Sequence, residues 1–412
     1  MATLGRVEVE QCPPERRPSI KSKARVAIFI SADSFEHFYG GMFGLDREKY
    51  LRSYRNDFVW DYGTGLRDEG HQIFIYILSY GPGELREDVE ENINVRFIQL
   101  PAWLRLVDPL LYRLSRIRQL GLVREQVRFM AYGTLLCDAI RSDKIELLYH
   151  QEIWTPRFAA LVPKVSIPVI GADHGARFSP RLTAPQRRAL RMAATVSCQS
   201  IEGFEHARSI GAKAVLMCNG VDADKFAPPP QYGSRPRTIL TVGRMVESQK
   251  RFSDLIQAMR LLPEFTLTIV GSGPDEASLR SLPQELGVGE RVQFAGFISD
   301  RDQLRRHYQE CGVFVSSSAW EATALVVLEA MSCGAPVVAT KIPSFEDLFT
   351  DGRDGLLVPV GQPESIAAAV RKAHRLQGEL GREARETVIR RYSSRALYAN
   401  LSDLIQSATI SA

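Results

Sequence analysis

Short β-branched apolar runs alternate along the chain with glycine or polar loops and then with stretches of helical spacing. In the first half this rhythm predicts strands at 25–31 (RVAIFIS), 72–78 (QIFIYIL), 94–100, 145–149, 167–172, 194–198 and 213–217. Helical stretches lie between them. The longest runs over 108–141, where Leu110, Leu111, Leu114 and Ile117 follow the spacing of an apolar stripe. After a segment rich in proline, Phe226 to Arg237 (FAPPPQYGSRPR), the rhythm restarts with strands at 238–242, 266–270, 291–295, 312–316 and 336–340. The chain then closes with helices at 363–377, 380–391 and 394–408. Strands that alternate with helices in this way build βαβ units and parallel sheets.

The expected fold class is therefore α/β, with two Rossmann-like doubly wound parallel-sheet domains facing across a cleft. Ligands of such sheets bind at the carboxyl ends of the strands. The expected boundaries are a disordered leader at 1–23, a first domain at 24–226, a linker at 227–237 and a second domain at 238–385. Helices at 386–412 are expected to pack back towards the first domain. The length of 412 residues agrees with two or three domains at roughly 150 residues each.

Composition narrows the function classes. The hydrophobic fraction is 45% and the charged fraction 24%, as in globular chains, and no apolar run approaches the ~18 residues of a membrane span. The first 23 residues lack an apolar signal core, which argues against secretion and for a cytoplasmic chain. Cys12, Cys137, Cys198, Cys218, Cys311 and Cys333 are scattered without a C-x-x-C, so neither a zinc site nor a disulfide framework is indicated. A net charge of +4 argues against a dedicated nucleic-acid binder and leaves room for a local basic patch.

Chemistry concentrates in three places. The stretch from Ser316 to Pro336 runs from a strand through a polar loop into a helix expected to start near Thr323. There the free amides of Thr323, Ala324 and Leu325 suit a phosphate. Glu321 precedes that helix and Glu329 sits inside it among apolar neighbours; a carboxylate is a natural acceptor for the hydroxyl pair of a sugar. Gly243, Arg244 and Lys250 leave the end of the first strand of the second domain, where cations meet a diphosphate. Gly40 and Gly41 follow the first strand, and Gly271 lies in the run IVGSGP, which ends a strand and opens a helix. Glu276 stands where the third glycine of a dinucleotide fingerprint belongs, so a nicotinamide dehydrogenase is not supported. His174, His150 and Arg177 follow strands of the first domain, whereas His71, His206, His307 and His374 read as surface or helix-face residues. Asp300 reads as a helix cap and Asp222 as a loop residue, so neither D-x-D triplet is assigned a metal.

EATALVVLEAMSCGAPVVAT with its Glu321/Glu329 pair, VGRMVESQK, IVGSGP, FAGFIS and CNGVDADKF together resemble the retaining family 4 glycosyltransferases of GT-B fold. The resemblance is specific in the second domain. It implies a donor-binding second domain and an acceptor-binding first one, with a nucleotide-diphospho-sugar donor, a UDP-sugar first, and no metal or other cofactor. In these terms Arg244 and Lys250 neutralise the leaving diphosphate, Glu329 accepts from the ribose and Glu321 holds donor-sugar hydroxyls. The backbone of Thr323, Ala324 and Leu325 binds the distal phosphate with Gly40 and Gly41, Phe297 and Ile298 line the base, and His174 lies beside the reacting sugar. Ala322 and Ala324 replace glycines common in the family, and the Arg-to-Lys spacing is one residue longer than in many members.

The acceptor stays open between a sugar or sugar phosphate and a lipid or polysaccharide precursor, with His150, Arg177 and Arg105 as candidate contacts. Trp103 to Met130 carries Arg105, Arg113, Arg116, Arg118, Arg124 and Arg128 against Asp108 and Glu125. This segment reads as an interfacial helix on anionic lipid at the inner face of a membrane, as a grip on a phosphorylated sugar, or as a solvated basic face. A donor site without turnover would instead make the chain a nucleotide-sugar sensor or scaffold subunit.

Overall fold

The computed structural model describes residues 24–30, 33–55, 57–83, 85–115, 118–173, 182–229, 235–321 and 324–410. The chain divides into two compact units. Residues 24–218 with 398–410 form one, and residues 219–397 form the other. Each is a parallel-sheet α/β domain, as the rhythm of the sequence requires.

The first unit holds β1 (Arg25–Phe29), β2 (Gln72–Ser79), β3 (Leu85–Glu90), β4 (Ile93–Gln99), β5 (Leu147–Gln151), β6 (Val169–Ala172), β7 (Thr195–Cys198) and β8 (Ala214–Leu216). Their order is β3-β4-β2-β1-β5-β6-β7-β8, parallel except for β3. Interior strands such as β2 are apolar on both faces because helices cover both, and all but the first residue of β2 are buried. The extra strand β3 escapes the pattern because it carries Arg86, Glu87, Asp88 and Glu90. It is a polar edge hairpin turned at Asn92, whose φ is 59°. The single long helix expected over 108–141 is two helices, Ala102–Ser115 and Arg118–Ser142. The final helix, Ser394–Ile410, packs within this unit from Tyr398 onward. Its Ser402 hydroxyl meets His71 Nε2 at 2.8 Å, so His71 is a core residue and not a surface one.

The second unit holds β9 (Thr238–Val242), β10 (Thr266–Val270), β11 (Val292–Gly296), β12 (Val313–Ser316), β13 (Val337–Thr340) and β14 (Leu356–Val358), all parallel in the order β11-β10-β9-β12-β13-β14. This is the doubly wound order in which the chain reverses direction between β9 and β12. Strand β14 has only three residues, too few for a periodicity to register. The ends of the proline-rich segment are anchored in this unit. Phe226 is fully buried, and the buried Arg235 guanidinium donates to the carbonyls of Tyr308, Gln309, Cys311, Cys333 and Gly334.

Candidate functional site

The carboxyl ends of β9 and β12, on either side of the chain reversal, assemble the candidate site. Beyond β9 the backbone is tied down on both sides of Arg244. Gly243 N–H donates to the Val270 carbonyl at 3.0 Å and Met245 N–H to the Ser272 carbonyl at 2.8 Å. Met245 is fully buried, while the Arg244 side chain is exposed and its guanidinium has no hydrogen bond or ion pair among the described residues. A single helical turn, Glu247–Lys250, then carries Lys250 back over Gly243, where an added Cβ would meet Lys250 Cε at 3.4 Å.

Gly271 and Gly273 let the loop after β10 press against the backbone from Gly243 to Met245, just before this turn. At Gly271, φ is 136° and a Cβ would lie 1.9 Å from the Gly243 carbonyl oxygen; at Gly273 it would lie 2.4 Å from the Met245 carbonyl oxygen. The close approach of two backbones accounts for both glycines.

Beyond β12 the loop is stitched to the same turn. Ala319 N–H donates to the Gln249 carbonyl at 2.7 Å, and Ser317 Oγ to the Lys250 carbonyl at 2.9 Å. Glu321 Oε1 takes an ion pair from Lys250 Nζ at 2.5 Å and a hydrogen bond from Ser318 Oγ at 2.6 Å, while Gln249 Nε2 lies 3.4 Å from Oε2. Both partners are largely shielded, with 15% of the Lys250 side chain and 7% of that of Glu321 exposed.

The helix that follows runs over Leu325–Ser332, two residues later than the start expected near Thr323. Thr323 lies outside the described residues. Ala324 occupies the cap position and no side chain among the described residues caps the helix, so its first amides carry a partial positive charge. Glu329 stands in the second turn and is buried. Its Oε1 pairs with Arg301 Nη2 at 3.2 Å, and its Oε2 accepts from the Tyr308 hydroxyl at 2.8 Å. Burial, and then the Glu329 charge, push the Tyr308 hydroxyl pKa far above its ordinary value, which keeps it a donor. Arg301 follows Asp300, which caps the helix Arg301–Glu310 by accepting from Asp302 and Gln303 N–H. After β11, Phe297 is half exposed and Ile298 is buried. The sequence reading missed Arg301 and Tyr308. Their signal was present only as the 3.6 period, since positions 301 and 308 fall on one face of a helix.

In the first unit several expectations change. Gly40 ends a π-helical stretch and Gly41 opens a short helix, both with right-handed backbone, and the left-handed residue is Gly44, with φ 62°. His150 is not an accessible acceptor contact. Its ring is fully buried against Phe29 and Phe158, at 5.6 and 5.3 Å between centroids, and neither ring nitrogen has a hydrogen-bond partner among the described residues. Burial and the nearby Arg157 charge lower its pKa to about 3, so it is neutral. His174 and Arg177 lie outside the described residues, and Arg105 is exposed on its helix.

Arg124 and Arg128 are not free cations either. They join Arg157, Asp33, Asp108 and Glu125 in an ion-pair network where the first sheet reverses direction between β1 and β5. Arg157 Nη2 meets Asp33 Oδ1 at 2.8 Å, Arg124 Nε meets Asp108 Oδ1 at 2.9 Å, Arg157 Nε meets Glu125 Oε2 at 3.0 Å, and Arg128 pairs with Asp108. Burial raises the Asp33 pKa, but the charges of Arg157, Arg128 and Arg124 outweigh it and hold the carboxyl well below the usual range.

Residues 223–391 match the family model of glycosyl transferases group 1. The lipopolysaccharide core biosynthesis glycosyltransferase LpsE of Rhizobium meliloti is 34% identical over 162 residues, covering 39% of this chain and 46% of that protein. The phosphatidyl-myo-inositol mannosyltransferase of Mycobacterium leprae is 34% identical over 169 residues, covering 39% and 44%. The chain thus spans less than half the length of these curated relatives. In fold it is similar to sucrose-phosphate synthase from Thermosynechococcus elongatus, with a TM-score of 0.72 at 18% identity, covering 94% of this chain and all of that one. Anabaena HepE in complex with UDP gives a TM-score of 0.65 at 15% identity, covering 93% and 100%.

Proposed function

We propose that the chain is a group 1 glycosyltransferase, whose family model residues 223–391 match, and that it moves a hexose from a nucleotide-diphospho-sugar to a hydroxyl acceptor with retention at the anomeric carbon. The observation that carries this reading is the joining of two loops. The turn bearing Lys250, which follows Arg244 in the loop after β9, is hydrogen-bonded to the loop that leads into the helix Leu325–Ser332. Fixed cations and helix amides thereby border one position at the sheet's point of reversal.

Cleavage of the anomeric C–O bond builds positive charge on the sugar and negative charge on the departing phosphate. The Arg244 guanidinium, the Lys250 ammonium and the amides at Leu325 stabilise the charge on the phosphate, and do so more strongly in the transition state than in the ground state. The Lys250 ion pair and the Ser318 hydrogen bond fix the Glu321 carboxylate so that it can accept from donor-sugar hydroxyls. Glu329, held by Arg301 and Tyr308, accepts from the ribose. The acceptor hydroxyl attacks from the leaving-group face and its proton passes to the departing phosphate oxygen. Arg244 and Lys250 take the part that a divalent ion plays in other transferases, so no metal is required. The UDP of HepE favours a UDP-sugar first, and the acceptor is a sugar, a sugar phosphate or a lipid-linked precursor.

A thermal-shift panel with UDP, GDP, ADP and TDP and their sugars, with and without EDTA, tests the donor. Ligand at 100 times its dissociation constant stabilises by about 2.7 kcal/mol. A shift for one base that survives EDTA supports the reading, and no shift with any nucleotide overturns it. NMR of the product then reads the anomer, and inversion would remove the retaining mechanism. Binding without release of free nucleotide, even slowly to water, would favour a sensor or scaffold.

A further inference from the structure

We infer that the helix Ala102–Ser115 is a docking surface for a membrane that carries anionic lipid. Trp103, Leu106, Val107 and Leu110 follow the i, i+3, i+4, i+7 spacing and fall within an arc of about 100°. Such a stripe ordinarily faces a core. Here it faces solvent, with Leu106 82%, Leu110 62% and Trp103 49% exposed, while the helix turns Leu104 and Asp108 inward.

Charge selects the occupant. The segment's two carboxylates, Asp108 and Glu125, are consumed in the buried network with Arg124, Arg128 and Arg157. Arg105 and Arg113 remain exposed on the same helix, without an ion pair among the described residues. An apolar stripe with the exposed Arg113 at its edge, on a helix that also exposes Arg105 further round, matches an anionic bilayer surface, where apolar side chains enter below the headgroups and guanidinium groups pair with phosphates. A second copy of this chain would bring the same positive charge against itself. No helix among the described residues is long and apolar enough to cross a membrane, so the contact is interfacial.

The test is sedimentation of the full chain with vesicles of phosphatidylcholine alone or mixed with phosphatidylglycerol, beside light scattering to read the oligomeric state. The expected result is co-sedimentation with the anionic vesicles only, weakened by salt, and lost in the double variant Leu106→Ser/Leu110→Ser. Arg105→Glu/Arg113→Glu should reduce it at least tenfold. Thermal denaturation of each variant checks that it folds, as exposed positions allow. Quenching of tryptophan fluorescence by brominated lipid should be present in the wild type and fall in Trp103→Phe. Failure to sediment with anionic vesicles, equal sedimentation of Leu106→Ser/Leu110→Ser, or a dimer that this variant dissociates would overturn the inference.

Discussion

The Tyr308 hydroxyl donates to Glu329 Oε2 at 2.8 Å from a fully buried ring, so a side chain with no path to a ligand sets the direction in which the carboxylate faces. Tyr308→Phe keeps the ring and removes this one bond. A hydrogen bond to a charged group contributes about 1.5–3 kcal/mol, so the variant should lose stability of that order. Glu329 then rotates about its remaining pair with Arg301. Calorimetry should show nucleotide affinity falling on the order of tenfold, about 1.4 kcal/mol, with turnover at saturation changed less. Unchanged affinity would remove Glu329 from ribose binding.

Arg244 and Lys250 should separate activity from stability. Arg244 is exposed and makes no hydrogen bond or ion pair among the described residues, so Arg244→Ala should leave the melting temperature in place. Turnover should fall by about 100- to 1,000-fold. Lys250→Ala should cause a similar loss of turnover and also destabilise by roughly 1–3 kcal/mol, because it strips the counter-charge from a largely buried Glu321. Denaturant melts beside single-turnover rates check the pair.

Patterns that repeat along the chain were legible in the sequence, and contacts between distant segments were not. All the interior strands were found because burial on both faces makes them continuous apolar runs, whereas β3 is polar and β14 short. Glu321, Glu329, Arg244 and Lys250 could be named because each sits at the end of a recognisable strand or in the helix that follows one. The pairing of Lys250 with Glu321 spans 71 residues and that of Arg157 with Asp33 spans 124, separations at which one sequence carries no register. The neutralisation of Arg124 and Arg128 within the basic run was hidden for the same reason. The carboxylate Asp33, which neutralises Arg124, comes from just after β1, 91 residues earlier in sequence.

Glycine substitutions should rank by backbone approach. Gly271→Ala places a Cβ 1.9 Å from the Gly243 carbonyl at a φ of 136°, and neither backbone can yield without moving the Arg244 loop. It should cost several kcal/mol, on the order of the largest single-site losses, and lower nucleotide affinity with it. Gly41→Ala meets nothing closer than 3.6 Å in a right-handed helical turn and should be neutral or slightly stabilising. Thermal melts of the two variants decide this, and equal effects would contradict the packing argument.

His150 should make the fold acid-sensitive in a defined window. Burial and the Arg157 charge take its pKa from 6.5 to about 3, so the folded state holds the ring neutral while the unfolded chain protonates it. Its contribution is fully present above pH 6.5 and is lost as pH falls from there towards 3, because in that window the unfolded state binds the additional proton. The loss is about 1.4 kcal/mol per pH unit, or about 2 kcal/mol between pH 6.5 and 5. Other groups titrate over the same range, so the comparison is between wild type and His150→Leu, which fills the space between Phe29 and Phe158 without a titratable ring. Urea unfolding at pH 7 and pH 5 should show the variant losing about 2 kcal/mol less than the wild type on acidification. Parallel losses would mean that His150 keeps an ordinary pKa in the folded protein.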